Sequence, residues 1–89
     1  MQTHDLKSWP EYFQPLFDGI KTFEIRKNDR RFGVGDVLRI REWDDMKGVY
    51  TGREVKRKVT YILAGIGPGA IPPLQGLHNR FVVMALAAD

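Results

Sequence analysis

At 89 residues and 43% apolar content, residues 1–89 read as a single folded domain with a modest core, not as a disordered chain. A mean hydropathy of −0.35, with no apolar run near the roughly 20 residues of a membrane helix, argues against a membrane span. The absence of cysteine excludes disulfides and thiolate metal sites, and a net charge of +3 is too mild to name a partner.

The opening Met1-Gln2-Thr3-His4-Asp5 lacks the basic and apolar blocks of a signal peptide, so a cytoplasmic setting is expected. Thr3 to Lys7 reads as a short edge strand. A helix is expected over Trp9–Asp18. Ser8 and Glu11 have capping-box spacing, and Pro10 falls in the first turn, where its missing N–H is harmless. Trp9, Phe13, Leu16, Phe17 and Ile20 form one apolar stripe, which assigns Trp9 to the core. Pro15 implies a short or kinked helix, and Gly19 suits the left-handed residue that ends it.

From Lys21 the period changes to two. Phe23 and Ile25 alternate with Thr22, Glu24 and Arg26 in a strand. A polar loop over Lys27–Arg31 and a Gly33–Asp36 turn lead into a strand over Val37–Trp43. Asp44 to Gly52 reads as a loop. Arg53 to Leu63 reads as a long strand with Val55, Val59, Tyr61 and Leu63 on one parity. Ala64 to Leu77 is rich in glycine and proline, and Phe81 to Leu86 is an apolar closing strand. The fold expected is α+β, mainly β. It is a small barrel of about five mostly antiparallel strands, with the one N-terminal helix covering an opening, since closure removes exposed strand edges.

Between Gly19 and Arg41, seven basic residues stand against three acidic ones, so charge is concentrated there. If Phe23 and Ile25 point inward, Glu24 and Arg26 share the outer face, with Lys21 at the helix–strand junction. Two readings stay open. Lys21 and Arg26 can hold a phosphate or base edge while Glu24 accepts from a base amino group. Alternatively, Glu24 and Arg26 form a surface pair worth under about 1 kcal/mol.

Other candidates carry less. His4 and His78 have no partner at metal-ligand spacing, so no metal and no cofactor are expected. Trp43 can stack on a base or cap the barrel's apolar end. Gly52 beside Arg53, after Tyr50, allows a close ligand approach or a hairpin turn. Lys56, Arg57 and Lys58 read as a solvated rim. The loop Gly65 to Pro73 is a candidate lid, without the lysine and following helix of a phosphate loop.

The pattern Gly19-x-Lys21-Thr22-x-Glu24-x-Arg26, followed by Val34-Gly35-Asp36 and an alternating strand, resembles the ASCH domain family of the PUA-like superfamily. More narrowly, His4-x-Leu6-Lys7, Phe23 to Arg30, Tyr50 to Arg53 and Val59 to Leu63 resemble a small uncharacterised bacterial and phage group within it. The resemblance runs from His4 to about Met84. It implies a PUA-like β-barrel with a cleft beside the helix and a role in binding RNA. Some small members hydrolyse an amide on acetylated cytidine. They use a lysine at the position of Lys21, a hydroxyl three positions later and a glutamate on a later strand. Here Glu24 replaces that hydroxyl, and Thr22 is the nearest substitute.

The leading expectation is a non-catalytic module that binds RNA or a nucleotide-like ligand in a basic cleft beside the helix. Lys21, Arg26, Lys27, Arg30 and Arg31 supply charge, Glu24 supplies base discrimination, and Tyr50 and Arg53 join the interface. The alternative is a small nucleoside amidohydrolase acting through Lys21, Glu24 and Thr22. A third reading is a phage-type accessory protein that binds a host protein.

Overall fold

The computed structural model describes residues 1–64 and 80–89. The candidate lid at Gly65–Pro73 and His78 lie outside the described residues. The element order is β1 (Thr3–Ser8), α1 (Pro10–Phe17), β2 (Phe23–Lys27), β3 (Val37–Asp44), β4 (Val49–Ala64) and β5 (Phe81–Ala88). The strands form one sheet in the order β1-β3-β4-β5-β2. Three pairings are antiparallel and β1–β3 is parallel. The sheet curls into a half-barrel whose two edge strands, β1 and β2, are joined in sequence by α1.

Alternation builds the concave face. Leu6 from β1, Leu38 and Ile40 from β3, Val55 and Val59 from β4, and Val82, Met84 and Leu86 from β5 form one core. The helix α1 packs on β3 and β4 and adds Phe13 and Leu16, both fully buried. Arg57 faces inward on β4 and donates to the Leu16 carbonyl, one of the acceptors left over at the end of α1. The rim expected at Lys56–Lys58 therefore has one member serving the helix.

Several local expectations are corrected. No capping box forms. Ser8 ends β1 as a buried residue, and Trp9 takes the N-cap position without a side-chain cap. Pro10 does open the helix, and Gly19 is left-handed at φ +76°. Of the apolar stripe only Phe13 and Leu16 are buried. Trp9 at 47% exposure is not core, and Phe17 and Ile20 are exposed too, because so short a helix meets the sheet along one narrow side.

The parity of β2 is also the reverse of the expected one. Phe23 and Ile25 are 44% and 49% exposed, whereas Glu24 is 4% exposed. A buried carboxylate is tolerated here because two cations neutralise it, as described below. The strand β4 starts at Val49, inside the expected loop. Its register shifts between Val59 and Tyr61. This bulge turns Tyr61 outward and lets Ile62 and Ala64 pack on the core, so the single parity expected for Val55 to Leu63 does not hold.

Candidate functional site

The edges β1 and β2 face each other across a gap bridged by arginine side chains. Arg26 Nη2 donates to the Lys7 carbonyl at 2.9 Å, and Arg30 Nη1 donates to the Asp5 carbonyl. Both acceptors are carbonyls of an edge strand, so the two guanidiniums complete hydrogen bonds that no neighbouring strand provides.

Next to this seam lies a cleft of about 490 Å³. Its walls are Trp9 and Tyr12 from the start of α1, Phe23 and Ile25 from β2, and Phe81 from β5; Lys7 and Ser8 close the β1 side. In it Glu24 accepts from Lys21 Nζ at 3.1 Å through one oxygen and from Arg26 Nε at 2.6 Å through the other. The carboxylate is 5% exposed, the lysine side chain 21% and the arginine 27%, so both cations keep a solvent-facing part. Lys21 Nζ also lies 5.9 Å from the Tyr12 ring centre and 5.5 Å from that of Phe23. The result is a half-apolar, half-ionic recess with a fixed carboxylate and aromatic sides. Such a recess suits a flat heterocycle with hydrogen-bonding edges and an attached anion.

Of the residues proposed from the sequence, Lys21, Glu24, Arg26 and Lys27 all line this cleft. Arg30 lies on the seam. Arg31 is exposed in the β2–β3 turn, with a left-handed φ of 50°. Thr22 is not among the cleft-lining residues. It lines a separate depression with Arg57 and Leu86 on the far side of Lys21. Tyr50 stands apart, against Trp43.

Arg53 is engaged elsewhere. It forms a two-pronged pair with Glu42 through Nε and Nη2, both at 3.0 Å, and Nη2 also reaches Gln14 of α1. The cause is a second bulge. Three residues of β4, Thr51 to Arg53, face the single Glu42, and Gly52 adopts a φ of +96° that a side chain would strain. Thr51 and Arg53 thus converge on one buried carboxylate. Lys7, Ser8, Trp9 and Tyr12 are cleft residues that the sequence reading missed. The one available signal was Tyr12, a large aromatic lying off the apolar stripe.

Resolved carboxylate shifts lie outside the cleft. Asp36 is held below its ordinary value of 3.8, chiefly by its hydrogen bond with His4. Glu42 is held below 4.5, first by Arg53 and then by Thr51. Both carboxylates hold the folded chain together. A depressed folded pKa contributes stability above the ordinary value, and the contribution fades as pH falls through the folded one. The melting temperature is therefore expected to be flat from neutral pH down to about pH 5 and to fall steeply below pH 4.5. Calorimetry across pH 3–7 checks this, and a melting temperature still level at pH 3 would contradict it.

The chain is similar to a relative from Escherichia phage P2 described as an "Uncharacterized 12.9 kDa protein in GpA 3'region". The two are 40% identical over 57 residues, which is 64% of this chain and 50% of the phage protein. The chain therefore spans half the length of that relative. Residues 3–86 match the family described as "Domain of unknown function (DUF3850)", and the chain belongs to that family.

Proposed function

We propose that the protein is a nucleotide-recognising, RNA-binding module that takes one base into the Lys21–Glu24–Arg26 cleft. The observation that carries this reading is the pairing of a fixed, buried carboxylate with two partly exposed cations between aromatic walls. In the complex, Trp9, Tyr12 and Phe23 flank the base. Glu24 accepts from its amino or imino N–H, and Lys21 and Lys27 meet the phosphate. The cleft volume of about 490 Å³ lies within the range of small-ligand sites, about 300–1,000 Å³. A half-barrel with a cleft beside its helix is also the layout implied by the resemblance to ASCH domains of the PUA-like superfamily. A cytoplasmic setting, where RNA is available, belongs to the same reading.

Binding of a short single-stranded RNA, followed by fluorescence anisotropy, tests it. Affinity should fall with salt, with a log–log slope of about 0.7 per neutralised phosphate. Lys21→Ala should weaken binding about tenfold, and Lys58→Ala, on the outer face of β4, about twofold or less. Equal losses at both positions would mean diffuse charge instead of a site. The same preparation is expected to leave acetylated cytidine intact, because Glu24 occupies the hydroxyl position and Thr22 lies outside the cleft. Turnover near 1 s⁻¹ that disappears in Lys21→Ala would instead support a hydrolase.

A further inference from the structure

On the outer face of the sheet, beside the mouth of the cleft, four side chains form a ladder of cations and rings. Lys7 Nζ lies 3.9 Å from the Trp43 ring centre. Trp43 meets Tyr50 edge-on with centres 4.9 Å apart. The Arg41 guanidinium carbon lies 3.8 Å over Tyr50. Two pairings explain the assembly. Trp43 and Tyr50 are directly opposed across the β3–β4 hairpin, and Lys7 of β1 is the register partner of Arg41.

Among the described residues, the charges of this ladder have no counter-ion in contact. Asp5 and Glu54 lie on the same face, but Arg39 takes both, at 3.6 Å and 2.9 Å. Neither Lys7 nor Arg41 forms a salt bridge or a side-chain hydrogen bond among the described residues; Arg41 adds only a longer-range pull on Glu54. Two cations thus rest on aromatic faces instead of on carboxylates. Cation–π contacts at exposed positions are weak, and a phosphate attracts lysine or arginine more strongly. An arriving polyanion can therefore lift both cations off the rings and leave two aromatic faces open for bases.

We infer that Lys7, Arg41, Trp43 and Tyr50 form a stacking track for single-stranded nucleic acid that continues from the cleft. The inference rests on the proposed reading of the cleft, and Lys7 links the two because it lines the cleft and covers Trp43. Charge complementarity identifies the occupant. Two cations with no ion-pair partner among the described residues, alternating with two rings, match alternating phosphates and bases, whereas a protein partner for this face would need acidic groups at the same spacing.

The test compares uridine monophosphate, which fits the cleft alone, with an oligouridylate of about eight nucleotides, which reaches the track. The oligomer should bind at least about tenfold more tightly. Trp43→Ala should remove that advantage and leave monophosphate binding unchanged. Trp43→Phe, which keeps a ring, should restore most of it and guards against simple misfolding. Arg41→Gln should lower the salt slope by about 0.7. In Trp9→Phe, Trp43 is the remaining one of the two tryptophans, so its emission should be quenched by the oligomer and not by the monophosphate.

An oligomer advantage that survives Trp43→Ala overturns the track and leaves the cleft standing. Oligomer binding that needs Trp43 but is unaffected by Lys21→Ala overturns the cleft reading and keeps the track. Absence of binding by either RNA probe overturns both. Quenching of Trp43 by phosphatidylserine vesicles but not by RNA overturns the track in favour of a membrane-surface contact. An equal response to oligothymidylate widens the occupant to single strands of either sugar and supports the track.

Discussion

Replacing Asp36 by alanine is expected to lower stability by about 3 kcal/mol. This carboxylate is a junction between three parts of the chain. It accepts from the Gln2 amide at 3.0 Å, from the Gly33 amide at 2.9 Å and from His4 Nε2 at 2.8 Å. The contacts tie β1 to the turn that starts β3, and the Asp36 carbonyl accepts from Val59 of β4. His4 is 6% exposed and packs against Phe32 with ring centres 4.7 Å apart, so without Asp36 its ring nitrogen is buried and unpaired. Each charge-assisted bond is worth about 1.5–3 kcal/mol, and part of the loss is recovered by water at the part-buried Gln2 amide. A domain of this size has only about 5–13 kcal/mol in total. The melting temperature should fall by about 15 °C. Asp36→Asn, which keeps one acceptor, should lose roughly half as much. A loss below about 3 °C in Asp36→Ala would show that this junction does not hold β1.

Arg26→Ala carries the second large effect, and it acts through the fold as well as the ligand. Arg26 bonds the buried Glu24 carboxylate and closes the seam onto the Lys7 carbonyl. Its removal leaves Glu24 with Lys21 alone and opens the edge of β1. A loss of about 2 kcal/mol is expected, smaller than for a fully buried pair because Arg26 is partly exposed and Lys21 remains. Arg30→Ala should cost under about 1 kcal/mol, since its side chain is 46% exposed and its bond to Asp5 is at the surface. The sequence placed both arginines in one basic surface. Urea denaturation separates them, and equal losses would mean that the seam does not depend on Glu24. RNA binding by Arg26→Ala is informative only well below its melting temperature.

Much of the fold was legible because the chain alternates where it forms central strands. Leu38 and Ile40 alternate with Arg39 and Arg41 and so declare their face by period two, and the core confirms them; the uniformly apolar Phe81–Leu86 declared a strand but not which of its faces is buried. The strand β2 misled for a physical reason. It lies at the edge, where the inward side meets a cleft instead of a packed layer. Its inward positions are therefore ionic, and its apolar residues line the rim. The period was right and the face inverted. Bulges defeated the rest. Nothing near Thr60 marks the register shift that turns Tyr61 out, and the convergence of Thr51 and Arg53 on Glu42 depends on a bulge for which Gly52 is the only cue. That Glu24 and Arg26 share a face was readable from the period of two, but spacing left a site and a surface pair both open, and the choice of Lys21, Glu24 and Arg26 as a site came from the family resemblance. The aromatic walls were not, because Trp9 belongs to a helical stripe that the short α1 does not fully bury.

The most direct measurement is an amide chemical-shift titration of the labelled protein with uridine and cytidine monophosphates. The account predicts saturable shifts concentrated at Ser8, Trp9, Tyr12, Lys21, Glu24 and Arg26, with the midpoint moved about tenfold higher in Lys21→Ala. Shifts confined to Lys56–Lys58 and the outer face of β4, or none at all at millimolar nucleotide, would contradict it.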